Sequence, residues 1–186
     1  MRKDIGERIR RMREAQALSR GDVCRMTGLD ADRLAAFEEG AAVPSIGVVI
    51  KLSRVLGSRV EGLLHGGGAA PRTLTVNRAA APAGDEYGES EQGYTYRTLT
   101  RPGTPGHLME PFLLTFDPRG TDAPPISHDG QEFVYVLEGA IELSYDGERV
   151  TLGPGDSAYL DARRPHLFRA AGGTPAKMLA VVASGA

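Results

Sequence analysis

The chain has 186 residues and a mass of 19.8 kDa, enough for one medium domain or two small ones at the usual ~100–200 residues per domain. A single cysteine, Cys24, excludes a disulfide framework and a cysteine-rich zinc module, and 41% apolar with 25% charged residues excludes wholesale disorder. The formal charge of −2 is unevenly spread: residues 1–65 carry 12 Lys/Arg against 9 Asp/Glu and the remainder 10 against 15, which predicts two units with different partners. No run of ~18 apolar residues is present, so no membrane span is expected. The start, Met1 to Arg8, lacks the apolar stretch of a secretory signal, and the expectation is a cytoplasmic protein with no membrane partner.

In the front half, Ile5, Ile9, Met12 and Arg13 recur at helical spacing and predict a first helix over Asp4–Gln16, with Arg8, Arg10 and Arg11 on its surface. Ser19 followed by Asp22 is an N-cap with an acid in the first turn, so a second helix runs Arg20–Thr27 and stops at Gly28. Asp30 caps a third helix, Ala31–Glu39, ended by Gly40. After Pro44-Ser45 a fourth helix buries Val48, Val49, Leu52 and Val55 up to Gly57, and a short fifth covers Arg59–Leu64. Two short helices joined by a Gly-containing turn have helix-turn-helix geometry. The residues Ile5-Gly-Glu-Arg-Ile-Arg-Arg-Met-Arg13, Leu18-Ser19, Thr27-Gly28-Leu29, Phe37-Glu38-x-Gly40, Pro44-Ser45 and Leu52-x-x-Val55-Leu56-Gly57 resemble the phage Cro/cI-repressor (XRE) helix-turn-helix family over about 60 residues.

The resemblance implies a five-helix lambda-repressor-like domain over 1–65 that binds operator DNA, the third helix entering the major groove. On that basis Arg20, Asp30, Ala31, Asp32, Arg33 and Ala36 are the candidate DNA-binding residues. The presumed reading helix departs from what base readout prefers, since only Arg33 offers a bidentate donor while Asp30, Asp32, Glu38 and Glu39 are acidic. Arg8, Arg11, Arg13, Arg20, Arg25 and Lys51 are available to hold phosphates, or form an ordinary solvated face. Cys24 reads as a core residue of the second helix.

His65-Gly-Gly-Gly-Ala-Ala-Pro71 is a flexible break, so 66–71 is read as a linker and 72–186 as a second domain. The 24 Gly and 12 Pro point to turn-rich β structure. Strands are expected at Arg72–Arg78, Tyr94–Thr100, Glu110–Phe116, Phe133–Leu137, Ala140–Tyr145, Arg149–Leu152, Ser157–Leu160, His166–Ala170 and Lys177–Ala183, with a polar loop over Ala79–Gly93. Asp146-Gly147 between apolar runs is a hairpin signal, because both turn positions need positive φ.

Gly120, five residues, Ile126-Ser127-His128, three residues, Glu132, six residues and Gly139, followed by Gly155, ten residues and His166, resemble the two cupin motifs. One ligand position departs, Ile126 standing where the first histidine is usual, and Asp161 and Arg163 replace the usual Pro and Gly. The resemblance implies an α+β two-domain chain ending in a cupin (double-stranded β-helix, jelly-roll) barrel, with His128, Glu132 and His166 on the metal positions. Two imidazoles and one carboxylate on a facial triangle suit a single divalent metal, Fe, Zn, Ni or Mn. A metal-free site in which the three bond to one another or to an organic ligand stays open. Tyr94, Tyr96 and Glu110 are candidate ligand-binding residues or core; His65 and His107 read as surface or linker.

Two functions compete. A helix-turn-helix joined to a small cupin resembles a bacterial regulator architecture, which implies a DNA-binding transcriptional regulator sensing a small-molecule effector or metal, as a homodimer or higher oligomer since half-sites lie one helical turn apart. The same order, with His128, Glu132 and Pro165-His166, is similar to the hydroxypropylphosphonate epoxidases, which implies a mononuclear non-haem iron oxygenase. Against that activity, Arg13–Ser19 offers none of the lysine that those enzymes use to grip a phosphonate, and no asparagine precedes His128.

Overall fold

A computed structural model describes residues 2–58, 60–65, 76–79, 86–100, 108–119 and 123–183. Five helices open the described chain: α1 (Arg2–Ala15), α2 (Arg20–Thr27), α3 (Ala31–Glu38), α4 (Ile46–Val55) and α5 (Val60–His65). The predicted caps form. Ser19 Oγ accepts from the Asp22 amide at 3.1 Å while the Ser19 amide donates to the Asp22 carboxylate at 2.8 Å, a reciprocal capping box. Gly28 ends α2 at φ 72°, and Asp30 accepts from the Asp32 amide at 2.8 Å to start α3. Ile5, Ile9, Val23, Leu34, Phe37 and Leu52 fill the space between the helices. Close approach of α1 to α3 depends on Gly6, where a Cβ would overlap the Phe37 carbonyl oxygen.

Several arginines lie elsewhere than the periodicity places them. Arg8, expected on the surface, donates through Nε to the Leu63 carbonyl at 2.7 Å and also to that of Leu64, satisfying carbonyls at the end of α5. Arg13 and Arg20 both bond to Glu38, whose side chain is fully buried. Glu38 is therefore an internal anchor and no longer an acidic group on the α3 surface. Cys24 is half-buried at the edge of the helical core.

The rest of the described chain is antiparallel β structure: β1 (Glu86–Tyr87), β2 (Tyr94–Thr98), β3 (Met109–Phe116), β4 (Gln131–Glu138), β5 (Ala140–Tyr145), β6 (Glu148–Leu152), β7 (Ser157–Asp161), β8 (His166–Ala171) and β9 (Ala176–Ala183). They form one sheet in the order β1-β2-β3-β9-β4-β7 and a second in the order β6-β5-β8, the two-layer arrangement of a jelly-roll barrel. β4 alternates strictly, burying Glu132, Val134 and Val136 and exposing Phe133, Tyr135 and Leu137. Asp146 and Gly147 take φ of 50° and 90° and close the β5–β6 hairpin as their chemistry predicts.

Two β expectations need revision. The loop expected over Ala79–Gly93 contains β1, because Tyr87 stacks on Tyr96 with ring centroids 4.8 Å apart and is buried there. Of the strand expected at Arg72–Arg78, residues 72–75 lie outside the described residues, and 76–79 hold no strand. The expected linker at 66–71, Gly120, His107 and the side chain of His65 also lie outside them.

The helical and β-rich parts meet along a seam. Val43 bridges to Ser90, and the Glu91 amide donates to the Val43 carbonyl at 3.3 Å. The Ile46 amide donates to the Tyr94 hydroxyl at 3.2 Å, the Tyr96 hydroxyl to the Pro44 carbonyl at 3.2 Å, and the Tyr87 hydroxyl to the Leu64 carbonyl at 2.8 Å. These tyrosines bury their rings in the barrel and use their polar ends on the helices. Desolvation pushes the Tyr94 and Tyr96 hydroxyls well above the ordinary value, so both stay protonated.

Candidate functional site

At the barrel end facing α4, three buried side chains converge. Glu132 is the second residue of β4 and points inward. His166 opens β8, and His128 lies on the segment leading into β4. That segment is pinned by Ile126–His166 bridging in both directions at 3.0 and 2.8 Å and by the His128 amide on the Ala162 carbonyl at 2.8 Å. The ligand-type atoms of His128, Glu132 and His166 all lie within 4.8 Å of one another.

The ring orientations fit a cation. Nδ1 of His128 lies 3.1 Å from the Asp129 carbonyl and Nδ1 of His166 lies 2.9 Å from the Arg164 carbonyl. A carbonyl only accepts, so each Nδ1 carries the proton and each Nε2 presents a lone pair. Both Nε2 atoms stand 3.6 Å from Glu132 Oε2. That separation is too long for a hydrogen bond, whereas donors ~2.1 Å from one shared ion stand roughly 3.0–3.5 Å apart. Burial pushes the His166 imidazole below its ordinary value, against the opposing pull of Glu132, which keeps it in the neutral form that binds metal. A divalent ion held here would supply Lewis acidity and open coordination positions for a ligand.

Ile126 occupies the position at which the cupin pattern has its first histidine. Two residues before His128 in extended backbone, it faces the same side, and its side chain packs against Gly47 of α4. A Cβ at Gly47 would overlap Ile126 Cδ1 and come within 2.9 Å of His128 Cδ2. An apolar contact to the helical half thus stands where a fourth ligand would.

The other expected ligand residues are placed differently. Glu110 is buried on the inner face of β3, paired across the sheet with Val182, which in turn pairs with Glu132. The Glu110 carboxylate is not in the group of ligand atoms that lie within 4.8 Å of one another, and Thr100 donates to it at 3.4 Å. Tyr94 and Tyr96 are buried with their hydroxyls bonded on the seam, and the Tyr94 hydroxyl lies close enough to Glu132 to feel its charge.

On the helical half, Asp30, Ala31 and Asp32 are exposed at the start of α3, and Ala36 is half-buried. Asp30 is used as the cap. Arg33 is half-exposed and ion-paired with Glu91 at 2.7 Å. Arg20 is half-exposed, bonded to Glu38 at 2.8 Å and near Glu39 at 3.5 Å. Arg11 and Arg25 are exposed and paired locally with Glu7 and Asp22. The pattern missed Glu91, Ser45 and Gly47, which join the two halves; the Tyr87, Tyr94 and Tyr96 cluster was the available signal.

Residues 4–64 match the helix-turn-helix domain family and residues 112–182 match the cupin domain family. The chain is 26% identical over 163 residues to the HTH-type transcriptional regulator PuuR of Escherichia coli K12, covering 88% of this chain and 85% of that protein. A crystal structure of an HTH_3 family transcriptional regulator from Vibrio cholerae superposes with a TM-score of 0.67 at 20% identity, covering 100% of this chain and 97% of that one. The crystal structure of FeII HppE superposes with a TM-score of 0.50 at 22% identity, covering 97% of this chain and 98% of that one. Both likenesses concern the fold. Helices and strands, three-residue cluster and matched families agree that the chain joins an XRE-type helix-turn-helix domain to a cupin domain.

Proposed function

We propose that the protein is a DNA-binding transcriptional regulator whose cupin domain senses a metal, a small-molecule effector, or an effector held through the metal. The observation that carries this reading is Gly47: the helix that follows the DNA-reading helix rests directly on His128, so a change at the His128–Glu132–His166 cluster reaches the helical half through one contact. Sensing requires an effector with different affinity for two arrangements of the halves, and this joint supplies an element through which they can differ. The start of α3 with Ala31 and Asp32 outward, Arg33 beside them and Arg20 at the start of α2 supports a duplex-facing surface. The domain division 1–65, 66–71 and 72–186 goes with this reading, as does a cytoplasmic location.

The cluster accepts one divalent ion, and two imidazoles with one carboxylate suit Fe, Zn, Ni or Mn. A homodimer is part of the proposal, since one helix-turn-helix reads one half-site. The outer face of β4 and β7, where Phe133, Tyr135, Leu137 and Tyr159 are exposed, is the surface assigned to it.

Gel-shift titration of the full chain on its own upstream DNA, at several salt concentrations with and without metal, tests the reading. The expected result is a shift that weakens steeply with salt as phosphate contacts release counterions. No shift at low salt on any upstream fragment overturns it. The same three ligands favour a second reading, a mononuclear iron oxygenase, which predicts ligand-dependent oxygen consumption by the iron-loaded protein.

A further inference from the structure

Between the two halves lies an open cavity of about 740 Å³, bounded by α2 and α4 on one side and by the 127–129 segment and Arg163 on the other. Its volume is in the range of small-molecule sites. Its walls bring Lys51, Arg54 and Arg163 together against a single carboxylate, Asp129. Two of the three cations are already used: Arg54 pairs with Asp129, and Arg163 holds Asp161 through bonds of 2.8 and 2.6 Å. Lys51 is different. Among the described residues no hydrogen-bond acceptor or carboxylate is within bonding distance of its amine, although it is half-buried. Burial and then the nearby Arg33 push its ammonium below the ordinary value, and Asp129 only partly offsets them.

We infer that this cavity binds a small anion carrying carboxylate or phosphate oxygens, with the Lys51 amine as its anchoring donor and His128 as part of its wall. The Lys51 amine opens into this cavity with no protein acceptor among the described residues, so an entering oxyanion gains a charge-assisted bond there, while a cationic ligand meets three positive groups against one negative. Met26 and Val55 line the same space and accommodate the carbon part of an organic acid. His128 borders both this cavity and the buried cluster, so the anion sits outside the barrel interior, at the joint whose geometry the regulator reading invokes. The inference rests on that reading for its consequence at DNA, and not for binding itself.

The chain has three lysines, Lys3, Lys51 and Lys177, which allows Lys51 to be followed by itself. The full-length protein is titrated with sodium phosphate, with succinate, and with neutral succinamide, at constant ionic strength. Lysine acylation is read by peptide mass spectrometry and thermal stability is followed in parallel. Expected is slowing of Lys51 acylation by about ten-fold once one of the anions stands ~10 times above its Kd, with Lys177 unchanged and succinamide without effect. The phosphate and succinate arms identify which oxyanion is preferred. Lys51→Met should abolish the anion-dependent rise in Tm, and Lys51→Arg should retain it. Equal Lys51 acylation with and without both anions overturns the inference, as does an unchanged Tm rise in a folded Lys51→Met. Uniformly weakened DNA binding by Lys51→Met, without an anion effect, overturns it too and places Lys51 on the duplex backbone. Lys51-dependent anion binding by protein that shifts no DNA supports the site and defeats the regulator reading instead.

Discussion

The guanidinium of Arg33 lies 2.7 Å from the carboxylate of Glu91, so the sole cation of α3 is held by the β-rich half of the chain. Glu91 accepts from the Ser45 hydroxyl at 3.2 Å with its other oxygen, so the start of α4 shares the same anchor. If α3 reads DNA as proposed, a duplex competes with Glu91 for Arg33. An ion pair at this partial exposure is worth about 0.2–1 kcal/mol, and Glu91→Gln should therefore tighten operator binding by about 1.5- to 5-fold. Arg33→Ala should instead lose about 1–3 kcal/mol of discrimination between the operator and a scrambled fragment. Competitive gel shifts read both effects. Equal affinity of the wild type and both variants for both fragments would remove Arg33 from the reading surface.

His128, Glu132 and His166 supply one lone-pair-bearing atom each to a shared point. Anaerobic loading with Fe(II), and separately with Zn(II), followed by elemental analysis should give one ion per chain. His128→Ala and His166→Ala should each bring the stoichiometry close to zero after gel filtration. Stoichiometric metal in both variants would refute the cluster as the binding site.

The cluster could be read from the chain because metal ligation demands residue types at set spacing, and the hairpin and cap signals are equally local. Ser19, Gly28, Asp30 and Asp146-Gly147 perform the roles that their chemistry implies. Long-range pairing leaves no such local trace. Nothing near Arg8 indicates that it caps α5, and nothing near Glu91 indicates that it meets Arg33 from 58 positions away. β1 escaped for the same reason, since two residues held by Tyr87 stacking carry no period. The Ile126 departure is readable only afterwards: the motif shows a missing histidine, and the fold shows the helix that fills its place.

Glu38 lies buried beneath two arginines, Arg13 at 2.6 Å and Arg20 at 2.8 Å. Burial would push its carboxyl up, but the hydrogen bonds from Arg13 and Arg20 outweigh that and hold it below the ordinary 4.5. A carboxyl with a depressed folded value binds fewer protons folded than unfolded. Its contribution is therefore complete above the ordinary range and is lost as pH falls through the depressed value. The wild-type melting temperature should accordingly fall more steeply than that of Glu38→Gln as pH drops below the ordinary carboxyl value of 4.5. At neutral pH the variant should lose about 3 kcal/mol, because it leaves two guanidinium groups without their shared anion. Parallel pH profiles for the two proteins would contradict this.

Phe133 and Tyr159 face each other across β4 and β7 on the outer surface of the barrel. Tyr135 and Leu137 extend the exposed apolar row along β4. If this face joins two copies, Phe133→Glu should convert the sedimenting species from dimer to monomer while leaving the circular dichroism spectrum unchanged. DNA affinity for a two-half-site fragment should fall with it, since the second site is then no longer held at high effective concentration. A variant that sediments as the wild type does would exclude the face.

Gly47 permits α4 to touch Ile126 and His128, and this contact makes the joint testable by a cycle. Within a helix, Gly to Ala by itself stabilises by about 1 kcal/mol. At position 47 the added methyl overlaps Ile126 Cδ1 and comes within 2.9 Å of a ring carbon of His128. The isoleucine tip can rotate away, whereas the His128 ring is tied through Nδ1 to the Asp129 carbonyl. Gly47→Ala should therefore weaken metal binding while leaving helix content intact, and Ile126→Ala in the same chain should restore part of it by opening room. A coupling of about 0.5–3 kcal/mol between the two changes is the expected signature of direct contact, measured by metal affinity rather than by melting alone. Additive effects within about 0.5 kcal/mol would mean that the helix and the cluster do not communicate through this contact.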